Sequence, residues 1–220
     1  GRQARTASNN TFVAPVTTEL LRLQGQPDLG LPIEYVHFRN LIFRHADYAL
    51  PPEGHSNSQA DSSLPGTITL TGARDCSLEG CELSHFGNYG IALRAGSQHC
   101  RIAQCHVYDG GAGLMRVGET DLANTRERRC EGHVIDNNYL HDYGEVYAGA
   151  VGLCVFQSSD NQITHNEIHD GYYTGISVGW NWGTSATQAE RNTIAYNHVH
   201  HVLKERLSDG GAIYMLGTSP

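Results

Sequence analysis

A short motif recurs along the chain from residue 78 onward, and it restricts the folds available more than any other feature. Aligning LEGCEL, IAQCHV, IDNNYL, ITHNEI and IAYNHV puts Cys81, Cys105, Asn138, Asn166 and Asn197 at one position, at intervals of 24, 33, 28 and 31 residues. A period of this size with loops of varying length is that of a solenoid. Each copy places an apolar residue three before that position and another two after it. A second apolar run follows in each copy: GIAL, GLMRV, GLCV, GISV and AIYM. Alternation there turns Ile91/Leu93, Met115/Val117, Leu153/Val155, Ile176/Val178 and Ile213/Met215 inward, and Ala92, Arg116, Cys154, Ser177 and Tyr214 outward. Runs this short, broken by Gly, Asn and Asp, do not make helices, and one coil alone cannot bury its apolar face; stacking buries it. An asparagine at a constant turn position suits such a stack, because its amide donates to one coil and accepts from the other. The expected fold is all-β, a single-stranded right-handed parallel β-helix. A propeller or a sandwich explains neither the once-per-coil Asn or Cys nor insertions that fall in the same gaps.

The rest of the chain is arranged about this repeat. Residues 1–32 read as an irregular N-terminal segment, although Glu19 to Leu23 has the look of a strand, and residues 33–220 read as the β-helix domain. Residues 49–66 hold three of the seven prolines and read as a loop thrown out of the body. Further insertions fall at 118–129, 181–190 and 202–208, all bordering the outward column, so a shallow groove walled by loops is expected along Arg116, Cys154, Ser177 and Tyr214. Cys76 and Cys100 are 24 residues apart, as are Cys81 and Cys105. None of the four makes a zinc-type pair, and a column of stacked thiols is expected, with a disulfide between adjacent coils the geometric alternative. The net charge of −8 argues against a nucleic-acid partner or an anionic membrane surface, and no apolar run is long enough for a membrane helix. The chain starts at Gly1 and stops at Pro220 without a closing element, the expectation for a fragment that lacks terminal coils.

Two aspartates stand beside the second strands of neighbouring copies, Asp170 five residues before Gly175 and Asp209 three before Ala212. Coils stacked at ~4.8 Å with a lateral offset would separate them by roughly 5–9 Å, a range that spans retaining and inverting glycoside hydrolysis. One acid would hold a proton for the leaving oxygen while the other stays ionised, with His169 and His201 near enough in sequence to tune them. Asp109 and Asp142 occupy the position of Asp170 in earlier copies, where an aspartate serves as a turn cap; for Asp170 both roles stand open. Nothing in the repeat requires an acid at Asp209, and D-G-G brings a strand end close to a ligand. Trp180, Trp182 and Tyr173 are candidates to stack on sugar faces, Glu145 is the reserve carboxylate, and Arg116 is a candidate to hold a hydroxyl-rich or anionic substrate. The histidines are spread over repeat positions, so turn hydrogen bonding is expected and no metal ligands are assigned.

The stretches NNYLHDYGEVYAGAVGL, QSSDNQITHNEIHDGYYTGISVGWNWG, NTIAYNHVHHV and LSDGGAIYMLGTSP resemble β-helix enzymes of carbohydrate breakdown, and are most similar to glycoside hydrolase family 141. The resemblance implies α-L-fucosidase or xylanase activity on plant cell-wall polymers, an oligo- or polysaccharide partner, no cofactor, and an extracellular or periplasmic setting. It also implies that Asp170 and Asp209 are the catalytic pair on adjacent coils, in members that are usually longer than this chain. Two other classes stay open. A polysaccharide lyase would need a cation, usually calcium, and a Lys or Arg base, for which Lys204 and Arg116 are the candidates. A non-catalytic glycan-binding module would keep the ladder and the tryptophans and tolerate loss of Asp209.

Overall fold

The computed structural model describes residues 12–48, 52–56, 58–204 and 206–217. Within them the chain winds through three parallel sheets in a fixed rotation. Sheet I stacks Leu21–Gln24, Gly66–Thr71, Tyr89–Leu93, Met115–Val117, Leu153–Val155, Ile176–Val178 and Ile213–Met215. Sheet II stacks His37–Arg39, Ser77–Glu79, Arg101–Ala103, Val134–Asp136, Gln162–Thr164 and Thr193–Ala195. Sheet III stacks Ile42–Ala46, Glu82–Phe86, His106–Gly110, Tyr139–Tyr143, Glu167–Gly171 and His198–His200. Each coil passes from II to III to I, and every strand pairs in parallel with its equivalent one coil away, which is the expected parallel β-helix. The ladder in sheet I already includes Leu21–Gln24, paired with Ile68 to Thr71, upstream of the boundary expected at residue 33.

Strands of three to six residues are too short to stand alone, so their stability comes from the column each side chain joins. The inward positions read from the sequence line one core: Leu78, Ile102, Ile135 and Ile163 from sheet II, Leu83, Val107, Leu140 and Ile168 from sheet III, and Ile91 through Val178 from sheet I. In the last strand the same inward positions, Ile213 and Met215, are exposed.

The expected amide ladder is present. Asn138 Nδ2 donates to Asn166 Oδ1 at 2.8 Å, and Asn166 Nδ2 donates to Asn197 Oδ1 at 2.9 Å. The same three oxygens accept backbone N–H groups of the coil below, Cys105 for Asn138, Asn138 for Asn166 and Asn166 for Asn197. A second ladder runs at the corner between sheets I and II. There Asn192 Oδ1 accepts from Asn161, Asn161 Oδ1 accepts from the backbone of His133, and His133 Nδ1 accepts from the backbone of Cys100. All six cysteines are free and buried; Cys76, Cys81, Cys100 and Cys105, the four expected to stack, lie in the core, and no disulfide joins the coils. Burial pushes the Cys100 thiol up to about 12 and the Cys105 thiol to about 11, which removes thiolate reactivity near neutrality.

One expectation is corrected. Of residues 49–66, positions 49–51 and 57 lie outside the described residues, and the rest is not thrown clear: residues 58–64 fold back across the outer face of sheet I. Ala60 and Leu64 are buried there with Val151, Cys154, Phe156, Tyr89 and Ala112. The apolar column on that face would otherwise be left against water, and covering it is the physical reason the loop returns.

Candidate functional site

Asp170 sits at the end of its sheet III strand with a left-handed backbone, φ 56°. So do His45, His85, Asp109, Asp142 and His201, its equivalents in the other coils. Asp and His tolerate that conformation better than most residues, so the backbone shape accounts for an aspartate recurring here. Only Asp170 among them carries a lysine: Lys204 Nζ bonds Oδ1, while His169 Nδ1 lies 2.7 Å from Oδ2. The Lys204 ammonium, helped by His169, lowers the carboxyl of Asp170 to about 2. It is therefore ionised through any ordinary pH range. His169 is held in turn by the Tyr139 hydroxyl at 3.1 Å from Nε2 and by face-to-face stacking on His141 and His200.

Asp209 is exposed, in the long corner that leads from sheet III to Ile213–Met215. That corner lies directly on the shorter corner of the preceding coil. Lys204 N donates to Gly171 O at 3.4 Å, Leu203 N to Tyr173 O at 3.3 Å, and Gly211 N to Thr174 Oγ1 at 3.3 Å. A Cβ at position 210 would press on Leu203, Thr174 and Tyr173, so Gly210 permits this approach. The two aspartates thus belong to stacked equivalents of one corner, one on the strand end and one on the loop above. Of residues 202–208, position 205 lies outside the described residues.

The outer face of sheet I is not the open groove expected there. Arg116 is only 2% exposed. Its Nη1 donates to Ser62 O at 2.6 Å and Leu64 O at 3.1 Å, and its guanidinium lies 4.8 Å from the Phe156 ring centroid. Arg116 therefore anchors the returning loop and is not available to substrate; a buried guanidinium needs acceptors, and the loop carbonyls supply them. Tyr173 is also buried under this loop, its hydroxyl accepting from Gln59 Nε2 at 3.1 Å, which takes it out of sugar stacking. Trp180 is half-buried, edge-on to Phe156 at 4.7 Å. Trp182 packs edge-on against Trp180 and is 60% exposed, so it is the indole with a free face.

Glu145 is exposed on the corner before Leu153–Val155, with its backbone N–H on Gly110 O. His201 is exposed and its Nδ1 lies 2.6 Å from His200 Nδ1, so its ring is turned to the neighbouring histidine, while Asp170 bonds His169 and Lys204. A cleft of about 260 Å³ opens at the other border of sheet I, lined by Arg94, Glu119, Asp121, Arg128 and Gln157 among others. Glu119 is tied there to Arg94 and to the backbone N–H of Ala95. None of the residues expected to act on substrate lines it. Sequence reasoning did not assign Lys204, which bonds Asp170, or Tyr139, which bonds His169, to this cluster, because both reach it from neighbouring coils.

A family model described as the right-handed β-helix region matches residues 66–219. No curated protein matches the sequence. Among solved structures, one described as a glycoside hydrolase superposes with a TM-score of 0.88 at 22% identity, covering 93% of this chain and 40% of that chain. Another, described as XylC in complex with xylose, gives a TM-score of 0.51 at 15% identity, covering 85% of this chain and 37% of that one. At these identities the likeness is one of fold, and the chain spans less than half the length of either neighbour.

Proposed function

The chain belongs to the right-handed β-helix family, and from that premise we propose that it is a carbohydrate-active β-helix, a glycoside hydrolase in which Asp170 and Asp209 form the carboxylate pair. The observation that carries this reading is the state of Asp170: Lys204 and His169 hold it ionised at the corner on which the loop of Asp209 is stacked. Glycoside hydrolysis needs two carboxyl groups in opposite protonation states, one ionised as nucleophile or base and one protonated as acid. Asp170 suits the first role, which leaves Asp209 for the second. Trp182 supplies an exposed aromatic face for a sugar ring. The fold likeness to a glycoside hydrolase and to a protein solved with xylose supports the substrate class. The likeness of the sequence to glycoside hydrolase family 141 favours α-L-fucosides or xylan-type plant cell-wall polymers, acted on outside the cytoplasm. The lyase alternative has less support, since Arg116 is buried under a loop and Lys204 is engaged by Asp170.

The test is turnover of aryl glycosides, α-L-fucosides and β-xylosides included, and of cell-wall polymers by the wild type, Asp170→Asn and Asp209→Asn. The reading requires a wild type that turns over one of them and at least ~100-fold loss in each folded variant. Variants that match the wild type would remove the pair, and an ultraviolet-absorbing unsaturated product would assign the chain to the lyases.

A further inference from the structure

We propose that Glu167, His198 and His200 form a binding site for one divalent transition-metal ion of the zinc type. The three offer ligand atoms that all lie within 4.8 Å of one another. Alternation along His198–His200 puts both imidazoles on the outer face of sheet III, and the strand register places His198 opposite Glu167 on the preceding coil. Glu167 Oε1 is 3.8 Å from His198 Nδ1 and 3.3 Å from His200 Nε2. Two ligand atoms ~2.1 Å from a common ion stand roughly 3.0 Å apart at a right angle and roughly 3.4 Å apart at a tetrahedral angle. The two observed separations therefore need only sub-ångström adjustment to close on an ion.

The surroundings of His200 fit a ligand. Its Nδ1 lies 2.6 Å from His201 Nδ1, so with the proton on Nδ1 it donates outward and turns the Nε2 lone pair toward the Glu167 carboxylate. An imidazole fixed through its second nitrogen is the usual state of a metal-bound histidine. The His169 ring stacks on it at 4.6 Å and 9°, which restrains its rotation. His198 is exposed and the other two are half-buried, leaving room for water to complete the coordination. Two imidazoles and one carboxylate favour zinc, nickel or cobalt over calcium and magnesium, which prefer all-oxygen sites. An ion held here would join His198–His200 to Glu167–Gly171 and so clip two coils together.

The inference is independent of the hydrolase reading, and its test reads binding. The full chain, stripped with EDTA, is titrated with zinc chloride by calorimetry, and thermal unfolding is followed with and without the ion. Glu167→Gln, His198→Gln and a control, His85→Gln, are measured beside the wild type, with circular dichroism to verify folding. The expected result is one zinc per chain, at least 10-fold weaker binding in each of the first two variants, and unchanged binding in the control. The zinc-dependent rise in Tm should appear in the wild type and control and vanish in both ligand variants. Absence of saturable binding at one ion per chain would overturn the site, as would binding that both ligand variants leave intact. Equal binding of calcium would overturn the metal class.

Discussion

Replacing Asn138 by alanine tests whether the amide ladder holds the coils together. Asn138 is buried, and its side chain makes three hydrogen bonds: Oδ1 accepts from Cys105 N at 2.9 Å, and Nδ2 donates to Ile102 O at 3.0 Å and to Asn166 Oδ1 at 2.8 Å. Alanine removes all three. The buried Cys105 N–H then loses its side-chain acceptor, which costs ~1–3 kcal/mol. Asn166 Oδ1 still receives the backbone N–H of residue 138 at 3.0 Å, so its loss, like that of Ile102 O, is nearer ~0.5–1.5 kcal/mol. The sum is about 4 kcal/mol, a large share of the ~5–15 kcal/mol that a domain has in total. The assay is equilibrium urea unfolding followed by far-ultraviolet circular dichroism. Asn138→Asp is the informative comparison: it keeps an acceptor for Cys105 N but sets a carboxylate oxygen against two other acceptors. That environment favours the protonated form and raises the carboxyl pKa, so the Asp variant should lose stability as the pH rises through and above ~4. An Ala variant within ~1 kcal/mol of wild type would refute the ladder as a stabilising device.

Lys204→Met should raise the carboxyl of Asp170 from about 2 toward 3.8, read by carbon-13 NMR of its side chain, and an unchanged titration would remove Lys204 as the cause. Because the folded pKa is depressed, the ion pair contributes stability above pH ~4 that is lost as the pH falls toward 2. Partial exposure keeps this under ~1 kcal/mol, and the variant should lack it. Arg116→Ala takes the donor from Ser62 O and Leu64 O, so limited proteolysis between residues 58 and 64 should quicken at least ~10-fold; equal rates would mean the loop is held by apolar packing alone. Gly171→Ala would drive a methyl group into the buried Tyr143 ring, whose hydroxyl bonds the carbonyls of Tyr173 and Thr174. A loss of about 3 kcal/mol in thermal or urea unfolding is expected, and a neutral substitution would show that the ring can yield.

The aspartate position illustrates the limits of pattern reading. Its recurrence at Asp109, Asp142 and Asp170 follows from a left-handed backbone shared by every coil, and that much is visible as a repeat. What separates Asp170 from the others is Lys204, delivered by the insertion of the next coil. No spacing rule along one strand reveals such a partner. The histidines behave alike: scattered in the sequence, they fall into stacked columns on sheet III, where His198 and His200 meet Glu167.

The sequence by itself determined the coil period, the inward columns of the core, the asparagine ladder and the loop-bearing corners, because each is a local alternation repeated once per turn. Tertiary structure alone decided which outward positions stay exposed. Arg116 and Tyr173 occupy strand and corner positions that alternation and loop placement direct outward, yet residues 58–64 return across more than 50 residues of chain to cover Arg116. Whether a loop returns depends on the apolar area and the unpaired donors it finds there. Those are properties of the assembled face, and no stretch of the chain carries them alone.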